Sequence, residues 1–95
     1  MNSVIKQTSM NVIYKDYSYE YSNLGANTSL VITAAQMGFV NPTGYTPIGV
    51  VTVESGHIAV VLERTSAYLD QRIRNISSSN QSGRYAMRIA YIKNT

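Results

Sequence analysis

Apolar and polar residues that alternate one by one leave a chain a single way to bury its apolar half, as one face of a β-sheet. Successive strand side chains point to opposite faces, whereas a helix would scatter the same residues around its circumference. Residues 84–93 read Arg-Tyr-Ala-Met-Arg-Ile-Ala-Tyr-Ile-Lys, which puts Tyr85, Met87, Ile89 and Tyr91 on one face and Arg84 and Arg88 on the other. Tyr17, Tyr19 and Tyr21 alternate with Ser18 and Glu20 in the same way. Three runs rich in β-branched residues, Ser29 to Thr33, Ile48 to Val53 and His57 to Leu62, read as further strands. A sixth strand is expected where Leu69, Gln71, Ile73 and Asn75 alternate with Asp70, Arg72, Arg74 and Ile76, the arginine stems leaning across a wet face.

Between these runs lies turn chemistry. Asn23, Gly25 and Asn27 tolerate positive φ after the tyrosine strand, and Asn41-Pro42-Thr43-Gly44 is the strongest break. Glu54-Ser55-Gly56 reads as a tight hairpin, and Ser77 to Gly83 as a seven-residue polar loop. Only Ala34 to Met37 and Ser66 to Asp70 could form a helical turn, each too short to stand alone in water. The expected fold is therefore all-β, an antiparallel β-sandwich or jelly roll of six to eight strands. It occupies one domain over residues 1–95, with Met1 to Ser9 as an arm that frays or pairs with a neighbouring chain.

Size bears on assembly. A chain of 95 residues buries about 60 to 70% of its unfolded surface, and with no cysteine it has neither a disulfide nor a thiolate metal site. Oligomerisation is the natural way to enlarge such a core. Eight Lys and Arg against five Asp and Glu give a net charge of +3, but the basic residues are scattered, so no nucleic-acid partner is expected. No apolar stretch is long enough for membrane insertion, and the first residues lack a signal peptide's apolar block.

The residues able to carry chemistry are few. The one histidine, His57, has Ser55 close by but no strained Gly-x-Ser-x-Gly turn, so it reads as a strand residue beside a turn. Asp16 with Glu20, or Glu54 with Glu63, could form the acid and base of a glycosidase if the fold brought them together; otherwise they are solvated charges. No metal-ligand cluster and no Gly-rich phosphate loop occurs, so neither a metal nor another cofactor is expected. Arg84 and Arg88 beside Tyr85 and Tyr91 could stack bases, or could be ordinary cross-strand neighbours. The Asn-x-Ser matches at Asn27, Asn75 and Asn80 read as chance matches in a chain rich in Asn and Ser.

Four stretches carry a resemblance. They are Ala26 to Thr33; Gly44-Tyr45-Thr46-Pro47-Ile48-Gly49-Val50-Val51; Arg74-Asn75 with the small polar residues Ser77 to Ser79; and the closing strand Ala90-Tyr91-Ile92-Lys93. In this order they resemble the C-terminal head domains of bacteriophage tail fibres and receptor-binding proteins of phages of Gram-positive hosts, over about Leu24 to Asn94. The resemblance implies a β-sandwich head assembled as a homotrimer, made in the host cytoplasm, displayed on the virion among other virion proteins, and binding a host-surface glycan or protein. Such heads usually follow a fibrous shaft that this chain lacks, so a separated head or a small virion component, such as a capsid decoration, head fibre or trimerisation module, is expected. The motifs have packing roles and transfer no receptor contact.

The expected function is thus adhesion without catalysis, the competing class is a purely structural virion protein, and a sugar-cleaving enzyme is a third. Loops on a rigid frame are where recognition is expected. Asn80 and Gln81 in the polar loop, with Tyr68 and Arg64 near the other long connection, offer the amides, charge and aromatic face that suit a sugar, though all four would also serve in solvated turns. The Tyr17, Tyr19 and Tyr21 face is the alternative. The alternation predicts a circular dichroism spectrum of sheet; the double minimum of helix would overturn the fold class and the resemblance together.

Overall fold

Alternation becomes six strands among the residues described, 11–95, in this computed structural model. The expected arm, Met1 to Ser9, lies outside them. The strands are β1 (Val12–Leu24), β2 (Ser29–Ile32), β3 (Tyr45–Glu54), β4 (Val60–Arg64), β5 (Gln71–Asn75) and β6 (Gln81–Lys93), with one helical turn, α1 (Ala34–Met37), after β2. They form two antiparallel three-stranded sheets, in the orders β1-β6-β3 and β2-β5-β4.

The inner face of each sheet follows from its sequence. From β6, Tyr85, Met87, Ile89 and Tyr91 point inward, none more than 2% exposed, and β1 adds Tyr17, Tyr21 and Leu24. Ile32, Val60 and Ile73 from the second sheet and Met37 from α1 complete one shared cluster. Each fully buried Ile contributes about 1.5–3 kcal/mol by leaving water. Two amides are buried among them, Gln71 and Asn75 at 0% exposure, and both are saturated. Gln71 donates to the Ser66 and Leu69 carbonyls at 2.6 Å each and accepts from Ser66 N–H and the Tyr85 hydroxyl. Asn75 donates to the Leu24 and Ser79 carbonyls and accepts from the N–H and hydroxyl of Ser77. Because an unpaired buried amide is costly, these bonds fix the 66–69 and 77–79 turns to the core.

Three local expectations change. Glu54-Ser55-Gly56 is a corner between sheets, because β3 lies in the first sheet and β4 in the second. Alternation shows that a strand exists but not which sheet it joins. His57 lies in the turn before β4, its Nδ1 accepting from Ala59 N–H at 3.0 Å, so β4 begins later than expected. The polar loop is shorter than seven residues, since β6 already begins at Gln81. The short turn at α1 forms as expected, closed by a capping box between Thr33 and Gln36 and by Gly38 in the left-handed conformation.

β1 and β4 each carry one register shift, and β3 is the most irregular strand, with two. Ile48 and Val51 are each an extra residue opposite β6, so the strand carries two bulges beside Pro47. Both extra residues are about half exposed, at 56% and 49%. Bulges and proline on an edge strand hinder pairing with another strand.

At the corner, Gly56 has φ +87 and packs backbone to backbone on β6: a Cβ there would meet Arg84 N at 2.5 Å and Arg84 C at 2.7 Å. Gly44, at φ +85, has open space around it. Gly44→Ala should therefore cost only backbone strain, about 1–2 kcal/mol, while Gly56→Ala adds a clash that no flexible side chain can absorb and should cost at least about 2 kcal/mol more. Urea denaturation of the two variants checks the difference; equal losses would show that the close approach is not rigid.

Candidate functional site

The four loop-associated residues are not brought together as one open surface. Asn80 is exposed, and Arg64 is exposed at the end of β4, opposite Arg72. Gln81 is half-buried in β6, its amide donating to the Ser77 and Ser79 hydroxyls at 3.1 and 3.3 Å. Tyr68, read from sequence as lying outside the core, is packed against it: its ring stacks on Phe39 at 4.9 Å and its hydroxyl bonds to that of Tyr91 at 2.8 Å. It holds φ +65, a conformation that costs a bulky residue about 1–3 kcal/mol and persists because ring and hydroxyl are both anchored.

The alternative face is likewise occupied. Tyr17 and Tyr21 are buried, and only Tyr19 is partly open. Tyr85 and Tyr91 are fully buried on the face opposite Arg84 and Arg88, so these side chains do not form a common stacking surface. Tyr17, Phe39, Tyr68 and Tyr91 form a ring cluster with a polar thread through it. The Tyr17 hydroxyl donates to the Val40 carbonyl at 3.0 Å. Its single proton is then engaged, so Tyr91 donates to Tyr17 at 2.5 Å, and Tyr68 in turn donates to Tyr91. Burial pushes the Tyr91 phenol well above its ordinary range, its bonds to Tyr17 and Tyr68 reinforcing the shift; burial raises Tyr21, Tyr68 and Tyr85 too.

The open polar surface lies on the outward face of the first sheet. Register lays its residues in rows across β1, β6 and β3: Tyr14, Ala90 and Gly49; then Asp16, Arg88 and Thr52; then Ser18, Ala86 and Glu54; with Glu20 and Arg84 closing the end. The two arginines stand as ridges and Ala86 forms the floor between them. The result is a groove of about 410 Å³ walled by Asp16, Ser18, Thr52, Glu54, Arg84 and Arg88.

Its charges are largely paired. Arg88 binds Asp16 through two nitrogens, at 2.8 and 3.2 Å, and Arg84 binds Glu20 at 3.2 Å. Exposed pairs of this kind contribute little to stability. They do fix the orientation of donors and acceptors. The Arg88 hydrogen bond holds the Asp16 carboxyl below its usual range, which keeps it ionised as a hydrogen-bond acceptor. Glu63 lies elsewhere, on the second sheet, lowered first by the Ser29 hydroxyl and then by Arg72. Among the described residues no three potential ligands gather to hold a metal ion, and no helix is long and apolar enough to cross a membrane.

Sequence reading placed Arg84 and Arg88 on a wet face but missed the groove, because its partners stand up to 72 residues apart. The alternation in both strands was the available signal. No family model, no curated protein and no solved structure matches the chain.

The hydroxyl thread predicts that Tyr91→Phe, which leaves Tyr68 without its acceptor, costs about 1–3 kcal/mol by denaturant unfolding, whereas Asn80→Ala stays within about 0.5 kcal/mol. Because the folded pKa values of Tyr21, Tyr68, Tyr85 and Tyr91 are raised, their contribution is complete below about pH 10, where the unfolded phenol titrates, and is lost as pH rises above it. Stability should therefore fall above about pH 10, and less steeply in Tyr91→Phe. An unchanged slope would place the alkaline sensitivity in other tyrosines.

Proposed function

We propose that this chain is a non-catalytic adhesion domain: a β-sandwich head, assembled as a homotrimer on a virion, that attaches to a host-surface glycan. The observation that carries the reading is the open groove across β1, β6 and β3, a rigid polar surface with charges already oriented and held on strands. Asp16 and Arg88 are engaged with each other there, which leaves an oriented acceptor and donor for a ligand to bind. The motif resemblance to phage heads points the same way, and two sheets around one core suit a sandwich. The trimer is supported by β3, whose Ile48 and Val51 project half exposed from an edge that its bulges and Pro47 make unfit for strand addition. Such an edge suits contact through side chains about a symmetry axis. Three identical sites then raise weak single-site affinity through avidity.

Light scattering should report a trimer at micromolar concentration, and the double variant Ile48→Lys, Val51→Lys should report a monomer that adheres to Gram-positive cells at least about 100-fold more weakly. A monomeric wild type would remove the trimer from the reading. A wild-type trimer with no adhesion across a panel of hosts would favour a structural virion component, for which the same apolar edge would serve.

A further inference from the structure

We infer that the groove on the first sheet selects a neutral glycan over an acidic one, with Tyr14 as the platform for a sugar ring. The inference rests on the adhesion reading and narrows its ligand class. Tyr14 is 57% exposed, two residues before Asp16 on the same face of β1. Its row continues through the small residues Ala90 and Gly49, and since Ala90 is itself covered, at 6% exposure, the surface a ligand can reach in this row is the exposed part of the phenol ring. A sugar's C–H face can cover an exposed aromatic ring there, while its hydroxyls reach the next row, Asp16, Arg88 and Thr52.

Charge decides the class. The protein carries +3 overall, which alone would favour an acidic ligand. Within the groove, however, the Arg88 fork is taken by Asp16 and Arg84 is tied to Glu20, while Glu54 has no ion-pair partner among the described residues. An incoming carboxylate would meet three carboxylates, Asp16, Glu20 and Glu54, against two arginines that already have acidic partners, and so meets net repulsion. A hydroxyl group both donates and accepts, so it can bond to an ion pair without breaking it.

A glycan array carrying neutral hexose and N-acetylhexosamine oligosaccharides beside uronic-acid and sialylated counterparts tests this directly. The intact chain should bind neutral members and pass over acidic ones. Tyr14→Ala and Glu54→Gln, both at exposed positions, should melt like wild type and lose about tenfold in affinity, or about 1.4 kcal/mol. Asp16→Asn should free the Arg88 fork and shift preference toward acidic members by about tenfold, a change of specificity that mere loss of structure does not produce. Wild-type preference for acidic glycans, or neutral binding unaltered in all three variants, would overturn the inference and leave adhesion standing. Cell adhesion without glycan binding would do the same, and absence of both would overturn the adhesion reading as well.

Discussion

A core built from tyrosines must find a partner for every phenolic oxygen it buries. That requirement organises most of this structure. Among the described residues no buried side-chain nitrogen or oxygen lacks a hydrogen bond. Satisfying them fixes the connections: Tyr17 reaches the Val40 carbonyl after α1, Tyr21 the Ser55 carbonyl at the corner, and Tyr85 the Gln71 amide. The loops are held by what the core needs from them. This also explains how 95 residues with no crosslink tether long connections: each tether combines ring burial with a directed bond.

The arrangement divides the first sheet into two faces of opposite character. Inside, specificity comes from rings and amides with single solutions to their bonding. Outside, Asp16 with Arg88 and Glu20 with Arg84 make a patterned polar surface whose stability contribution is small and whose geometry is set by the register of β1 on β6. The groove is then as rigid as the ladder beneath it. Sites carried on strands hold their geometry more closely than sites on loops.

Much of this was legible one strand at a time. The period-two pattern of Tyr85, Met87, Ile89 and Tyr91 located the inner face of β6, and the same pattern located β1. Sheet membership was not legible, since Gly56 turns a corner where the sequence reads as a hairpin. Alternating Tyr with Ser and Glu leaves open whether the rings or the hydroxyls face a ligand; Tyr17 and Tyr21 prove to be core. Tyr68 was harder still, because a lone tyrosine in a polar connection gives no local sign that Phe39 will stack on it. The groove depends on pairs such as Asp16 with Arg88, which only the folded register brings together.

The strand order of the first sheet also imposes an order in time. β6 lies between β1 and β3, yet it is made after both, so neither outer strand has its partner until the ribosome has passed residue 93. During synthesis β1 and β3 wait with apolar faces and open edges, the condition in which nascent β-proteins find the wrong neighbour. On β3 the irregular backbone around Pro47 keeps the waiting strand a poor template. On β1, Lys15, Asp16 and Glu20 place charge along a ribbon that would otherwise stack on another nascent copy. The first sheet can therefore close only once its last strand is available to pair with both of the others.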